Sequence, residues 1–174
     1  MLKKIILFMI IISMLCMMVA CSDGDKQKNT DLTYEEQVEQ FGNKLANLMN
    51  NGEYEKVCEY WSEAYVSCGE IAYGKSYSEL KSQYKANCIN NNLHNCKVES
   101  VEAYETDDGD KIYAMMISYY VYNQNNDKKY MSDLLYVFKE GEEFVYAAKE
   151  KIIPIEKIIE LSKEKYQFSS LISE

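Results

Sequence analysis

Apolar residues recur at three- and four-residue steps early in the chain, which is the spacing of one helical face. The first such stripe follows a capping box, in which Thr33 precedes the run and Glu36 stands three positions later. It ends at the Asn-Asn-Gly segment of residues 50–52, which favours a turn. The pattern therefore predicts a first helix whose buried face consists of Val38, Phe41, Leu45 and Leu48.

Two further helices are predicted from the same spacing. The second carries the stripe Tyr54, Val57, Trp61 and Ala64, with Cys58 beside it. The third opens with a capping box formed by Ser76 and Glu79. It continues through Leu80, Tyr84 and Cys88 and ends in the three asparagines of residues 90–92.

After these helices the hydrophobic period changes to two, which predicts strands. Short polar or glycine-containing segments separate them and are expected to be turns. Pro154 then suits the first turn of a terminal helix over residues 155–168. The predicted strands cover residues 97–104, 111–122, 130–139 and 144–152.

Helices followed by an antiparallel meander give an α+β fold, with three N-terminal helices on a strongly curved sheet of about four strands. A short C-terminal helix completes one domain over residues 33–174. Both faces of the long strand 111–122 are apolar, so a further element or a second subunit must cover the second face. That face, the candidate surface of a homodimer, carries Tyr113, Met115, Ile117, Tyr119 and Val121.

The first 20 residues form a charged start, Lys3 and Lys4, followed by an uncharged run from Ile5 to Ala20. These 16 residues would rise about 24 Å as a helix, short of a hydrocarbon core of roughly 30 Å. The pattern is typical of a cleaved secretory signal. An ordinary signal with a coincidental cysteine, or an uncleaved span, are the alternatives.

The segment Met18-Val19-Ala20-Cys21 resembles the bacterial lipobox. In that class of precursor the cysteine receives a diacylglyceryl group and the signal is cut just before it. The resemblance implies a lipid anchor on Cys21 at the extracytoplasmic face of a bacterial membrane, and two acyl chains suffice for stable anchoring. Residues 22–31 are small, polar or charged, and residues 21–32 are expected to form a flexible tether.

Composition argues against nucleic acid as a partner. The chain has 28 acidic residues and 19 basic ones, all of them lysine. Removal of residues 1–20 would leave 17 lysines against 28 acids, a formal charge of −11. Arginine is the preferred bidentate ligand of phosphate, and an acidic chain without it is poorly suited to anionic polymers. The 16 tyrosines fit a tyrosine-rich sheet or half-wet contact surfaces.

Residues 33–153 resemble the nuclear transport factor 2-like superfamily, and in particular its small secreted lipoproteins. The resemblance rests on the helix pair LANLMNNGEYEKVCEYWS, the third helix SELKSQYKANC and the ending LLYVFKEGEEFVYAA. It implies a cone in which helices pack on a curved sheet. Phe144 stands where the superfamily often has tryptophan, and the helix after Pro154 is an addition.

Four cysteines remain in the domain, and an even set in an exported protein predicts two disulfides with three connectivities. The resemblance implies Cys58–Cys88, which leaves Cys68–Cys96. Local pairing, Cys58–Cys68 and Cys88–Cys96, is the rival. The spacings fit no usual zinc pattern, so no metal is predicted, although His94 lies near Cys96.

Candidate chemistry is sparse. Some enzymes of this superfamily use an Asp and a His, or two carboxylates, inside the cone; here the only histidine is His94 and the only mid-strand acid is Asp133. Asp133 could be an inward base or an outward charge that protects an edge strand. No nucleophile-elbow, zinc-protease, P-loop or dinucleotide motif occurs, and no cofactor is predicted.

The sequence thus favours a membrane-anchored lipoprotein with a noncatalytic domain. That domain would bind a small apolar or amphiphilic ligand in the cone, or a protein partner on the sheet. The alternative is a small hydrolase, dehydratase or isomerase on the same fold, with Asp133 as its base.

Overall fold

The computed structural model describes residues 32–122 and 127–172. The predicted signal segment, Cys21 and all but the last residue of the predicted tether lie outside the described residues. The described helices are α1 (Tyr34–Asn50), α2 (Tyr54–Cys58), α3 (Glu63–Tyr73), α4 (Tyr77–Asn90) and α5 (Ile155–Lys165). The strands are β1 (His94–Glu105), β2 (Lys111–Tyr122), β3 (Lys128–Glu140), β4 (Glu143–Ala148) and the two-residue β5 (Phe168–Ser169).

The predicted α+β fold is confirmed. The sheet has the order β1-β2-β3-β4, every neighbouring pair is antiparallel, and β5 pairs with the end of β3. In the described ranges four helices precede this meander and one follows it. The sequence predicted three helices before the meander, and the described residues form four because the second predicted helix is divided.

The prediction of one continuous second helix is wrong, because the chain breaks into α2 and α3 around Trp61. The backbone there pairs with the sheet instead: the Ser62 amide donates to the Tyr146 carbonyl at 2.9 Å, and the Tyr146 amide donates to the Tyr60 carbonyl at 2.9 Å. Ser62 then starts α3, since its side chain accepts from the Tyr65 amide at 3.1 Å. Pairing with the edge strand has overridden the helical spacing.

Glu140, at the end of β3, fixes the start of α3. Its carboxylate accepts from the Ser62 hydroxyl at 2.7 Å and from the amides of Glu63 and Ala64 at 2.7 and 3.3 Å. It also accepts from Ser162 of α5 at 2.6 Å. An acid at a helix N-terminus satisfies amides that have no partner within the helix. One side chain therefore joins a strand to two helices.

The other element boundaries differ little from the predictions. The capping box of Ser76 and Glu79 is present at the start of α4. β4 ends at Ala148 rather than at residue 152, although the Lys149 amide still donates to the Leu134 carbonyl at 2.9 Å. The terminal helix ends at Lys165, and the residues after it form β5, which the sequence pattern did not indicate.

The sheet face offered as a dimer surface is covered by the same chain. Tyr113, Met115, Ile117 and Tyr119 are buried in a cluster with Val38 and other residues of α1, and Val121 packs at its margin. Contact with α1 is very close, because a Cβ atom added at Gly42 would lie 2.2 Å from the Met115 sulfur. This face is therefore core, and a homodimer would need another surface.

The opposite sheet face is covered in part by α5. Ile112, Tyr136 and Phe138 form a second buried cluster with Ile158 and Ile159 of this helix. The added C-terminal helix thus buries the outer face at the end of the sheet that is close to β5. Over the described ranges, no helix is long and apolar enough to cross a bilayer.

Helix α3, like α4, buries few of its residues. Only Ala64 and Gly69 of its residues are buried. Its neighbours are α4 on one side and α5 on the other. Its buried residue Ala64 belongs to the cluster under α5.

Candidate functional site

A cavity of about 190 Å³ lies between the helices and the inner face of the sheet. Its floor includes Ile117 and Leu135, and its helical wall includes Leu45, Met49 and Val57. Ala148 also lines it, and five aromatic side chains and two acids complete the lining. They are Trp61, Tyr65, Tyr84, Tyr119, Tyr146, Asp133 and Glu150.

A second cavity of about 270 Å³ adjoins the first, between α3 and α4. The two share Trp61, Tyr65, Tyr84 and Glu150 as lining residues. The second is more open to solvent and adds polar side chains, among them Lys75, Gln83 and Asn87. The shared residues form the boundary between an inner and an outer chamber.

Trp61 is the centre of the aromatic wall. Its indole nitrogen donates to the Tyr146 hydroxyl at 2.7 Å, and its ring meets those of Tyr84 and Tyr65 edge-on at 5.5 and 6.0 Å. Burial raises the pKa of Tyr146 and of Tyr84 far above the usual range of a phenol. Both tyrosines therefore remain neutral, and the wall is apolar with few polar atoms.

Glu150 lies just beyond β4 and is held by two tyrosines of α3. The hydroxyls of Tyr65 and Tyr73 donate to its two carboxylate oxygens. The hydrogen bond to Glu150, followed by burial, raises the pKa of Tyr73 to about 12. Burial first, and then the same carboxylate, raise the pKa of Tyr65. Both phenols thus stay protonated and orient the acid.

Asp133 lies on the inner face of β3, which agrees with the first of the two positions considered from the sequence, an inward carboxylate. It stands opposite Ile117 of β2 and lines the inner chamber, although it is exposed to solvent. The hydroxyl of Tyr119 donates to its Oδ2 atom at 2.8 Å. Burial and the charge of Asp133 both raise the pKa of Tyr119, so this phenol also remains a donor.

His94 is not brought to Asp133. Its ring stacks on Tyr122 at 5.1 Å and on Tyr120 at 6.0 Å, and these tyrosines alternate with the inner-face residues of β2. Asn95 has φ 54°, and the pairing of β1 with β2 is irregular between residues 94 and 97. Cys96 is therefore buried in the inner cluster while His94 is outside it. In the described part of the chain no group of acids, histidines and cysteines could hold a metal ion.

The four cysteines of the described domain are free thiols. Cys88 lies near both Cys58 and Cys96, because its charge contributes to raising the pKa of each. Cys68 instead packs beside the cluster under α5 and is influenced by Lys157. The structure therefore does not bring Cys68 to Cys96. The bridge Cys58–Cys88, and the local pairs Cys58–Cys68 and Cys88–Cys96, stay predictions.

The sequence analysis found Asp133 but missed Glu150 and the tyrosines that hold it. Glu150 was placed inside a strand, where nothing distinguished it from a surface acid. One signal was available: Tyr65, Gly69 and Tyr73 follow one another at four-residue steps and so share a helical face. The small Gly69 lies on the wall of the outer chamber between them.

Comparisons with known proteins give structural likenesses alone. No protein-family model matches the chain, and no curated protein matches its sequence. A Xanthomonas campestris protein described as a putative calcium/calmodulin-dependent protein kinase II association domain aligns with a TM-score of 0.42 at 9% identity, over 67% of this chain and 88% of that one. Aln2 from a Streptomyces species aligns with a TM-score of 0.40 at 12% identity, over 66% and 86%. The function must therefore be argued from the residues of the site.

Proposed function

We propose that this chain is a membrane-anchored extracytoplasmic lipoprotein whose domain binds a small molecule inside the cone without transforming it. The observation that supports binding is the aromatic inner chamber with acids at its opening. Sites for small molecules are usually concave and mostly apolar, with a few polar groups that fix the ligand. Here Trp61, Tyr84 and Tyr146 are the apolar wall, and Asp133 and Glu150 are the polar groups.

Binding is favoured over catalysis by the states of the phenols. Tyr65, Tyr73 and Tyr119 have raised pKa values and donate to carboxylates, so they act as fixed donors rather than as proton acceptors near neutral pH. His94 lies away from Asp133, so the Asp–His pair considered from the sequence is not formed. The tyrosine hydrogen bonds fix the orientation of the two carboxylates and do not activate them as bases.

The experiment for the binding role is native mass spectrometry of residues 22–174, secreted and purified without reductant. We expect a small-molecule mass to be retained. Ala148 lines the inner chamber, so Ala148→Phe should fill the chamber and remove that mass. Ala86→Phe is the matched control, because Ala86 is exposed on α4 and lines neither chamber. Retention by a folded Ala148→Phe variant would contradict binding in the cone.

The anchoring role rests on the resemblance of residues 18–21 to the lipobox. Cys21→Ser removes the thiol that would carry the lipid. We expect the wild-type chain to sediment with membranes in a detergent-free lysate and the variant to stay in the supernatant. Equal sedimentation of both would mean that the anchor is not on Cys21.

The position of Asp133 favours a second candidate, a small hydrolase, dehydratase or isomerase. A carboxylate that lines an apolar chamber could accept a proton from a bound substrate. Once the retained molecule is identified, Asp133→Asn separates the two candidates. An enzyme would lose turnover with its fold intact, whereas a binding protein would release the same molecule unchanged.

A further inference from the structure

We infer that the ligand of the cone is an organic cation, an amine with an aromatic or apolar body; this inference rests on the proposed binding function. Four features of the described residues support it. They are the placement of the two acids, the lack of an ion pair between either acid and a described lysine, the direction of the tyrosine hydrogen bonds and the aromatic wall.

The two acids occupy neighbouring places at the opening of the inner chamber. β3 and β4 pair with Leu135 opposite Ala148, and the Lys149 amide continues this ladder to the Leu134 carbonyl. Extending the same register by two residues sets Glu150 opposite Asp133, on the inner face. Like charges in that relation repel each other, and a cation between them would relieve the repulsion.

Neither acid of this pair forms an ion pair with a lysine of the described residues. Among the ion pairs formed by described residues, none includes Asp133 or Glu150. The described lining of the inner chamber contains no lysine. Lys75 lines the outer chamber, where its ammonium donates to Gln83 at 2.5 Å. A positive charge from a ligand would thus meet carboxylates that form no ion pair with a described lysine.

The hydrogen bonds at the opening leave acceptors rather than donors for a ligand. The hydroxyl protons of Tyr65 and Tyr73 point to Glu150, and that of Tyr119 points to Asp133. The oxygen atoms of these five side chains can still accept hydrogen bonds from a ligand, but they have no proton left to donate. An ammonium group carries up to three N–H donors, whereas a carboxylate or phosphate ligand carries none. The polar part of the site therefore complements a donor-rich head group.

The remaining wall suits the rest of such a molecule. Trp61 and Tyr84 can contact an apolar body, and aromatic rings also attract a nearby cation. A chamber of about 190 Å³ compares with a cavity of about 150 Å³ that holds benzene in another protein. A single ring with a short aminoalkyl chain is therefore of suitable size.

The test compares three probes of nearly equal shape: 2-phenylethylamine, 2-phenylethanol and 3-phenylpropionate. Trp61 is the only tryptophan of the chain and lines both chambers, so its fluorescence reports binding directly. The protein is residues 22–174, whose described part contains both hydrophobic clusters. We expect the amine to bind about ten- to a hundredfold more tightly than the alcohol, and the carboxylate most weakly.

Charge-removing variants show where the preference originates. Asp133→Asn and Glu150→Gln should each lower amine affinity about tenfold or more while changing alcohol affinity little. Glu142→Gln removes the same charge at the exposed turn after β3 and should change neither. If Glu142→Gln weakens the amine as much as the site variants do, the preference is a general effect of the acidic surface and the inference is wrong.

Other outcomes separate this inference from the binding function itself. Equal affinity for all three probes, or tightest binding of the carboxylate, would overturn the cationic ligand and leave the cone as a binding site. A neutral or anionic mass retained in the native spectrum would do the same. No saturable fluorescence change with any probe, combined with no retained mass, would overturn both.

Discussion

At the scale of single residues, Glu140 is the side chain whose loss should be most disruptive outside the hydrophobic clusters. Glu140→Ala would leave the Ser62 and Ser162 hydroxyls, both in fully buried residues, without this acceptor. An unsatisfied buried polar group costs about 1–3 kcal/mol. We expect the free energy of unfolding in urea to fall by about 3 kcal/mol.

The control for this prediction is Glu142→Ala, two residues away on the exposed turn. Surface changes of this kind usually alter stability by less than about 0.5 kcal/mol. A loss for Glu140→Ala no greater than for the control would mean that the carboxylate does not hold α3 and α5.

Glu99 makes a pH-dependent contribution on the outer sheet face. Hydrogen bonds from Ser118, Lys97 and Tyr130, in that order, lower its pKa from 4.5 to about 2. The folded state thus favours the ionised form, so this stabilisation is present above about pH 4.5 and is lost as the pH falls towards 2. The melting temperature of the wild type should exceed that of Glu99→Gln at about pH 6, by a margin that vanishes near pH 2.

Exposure keeps that margin small, because solvent screens the surface contacts of Glu99. Ser118→Ala removes the donor with the largest effect and should shrink the same margin. A difference between wild type and Glu99→Gln that stays constant across this acidic range would show that the charge of Glu99 is not involved.

At the scale of elements, the fit between α1 and the sheet depends on one glycine. Gly42→Ala would bring a Cβ atom within 2.2 Å of the Met115 sulfur and 2.8 Å of a Val98 methyl. Overpacking of a core costs about 1–3 kcal/mol, which exceeds the gain of up to about 1 kcal/mol from placing Ala in a helix. We expect a net loss of stability by urea unfolding.

Gly69→Ala in α3 is the matched control for this clash. Its new Cβ atom would meet only the end of Leu80, at 3.3 Å, which a small side-chain shift can relieve. We expect this variant to be as stable as the wild type or slightly more so. If Gly42→Ala matched it, the α1–sheet contact would be looser than the structure indicates.

The reactivity of the cysteine thiols tests how closely α2, α4 and β1 pack, because Cys58, Cys88 and Cys96 lie in these three elements. Burial raises the pKa of Cys58, Cys88 and Cys96 to about 12, 11 and 12, so these thiols are protonated and shielded in mildly alkaline buffer. Cys68 is less buried. Alkylation of the folded, unreduced protein should therefore modify Cys68 first, as read by peptide mapping. Protection of Cys68 would contradict its separation from the other three.

The element pattern was predictable wherever local spacing and tertiary contacts agree. The stripe of α1, the capping box of α4 and the bounds of β2 follow directly from the sequence. The break between α2 and α3 at Trp61 could not be predicted, because it arises from backbone pairing with Tyr146, 85 residues away. β5 was missed for the same reason, since two residues show no period and pair only with the end of β3.

At the scale of the whole molecule, the sequence analysis identified one of the two acids of the site and missed the other. Asp133 was recognised as a candidate, but the sequence left open whether it points inward or outward from its strand. The role of Glu150 could not be recognised, because it depends on the register between β3 and β4. It also depends on tyrosines of α3, a helix whose start the sequence pattern assigned to the preceding helix. The acidic composition argued against nucleic acid as a partner, but the proposed recognition of a cation depends on the register that sets Asp133 and Glu150 side by side.

The shallow packing of α3 has a consequence for how this protein could diversify. Two carboxylates from the sheet side, Glu140 at its start and Glu150 along its length, hold this helix, and its side chains contribute little to the core. Substitutions at cavity positions that do not bind Glu150 would thus encounter a weak trade-off between stability and activity. A selection library confined to residues 66 and 69, which line the outer chamber and do not supply the hydrogen bonds to Glu150, should yield folded variants with new ligand preferences at high frequency, so natural relatives can be expected to diverge fastest at these positions.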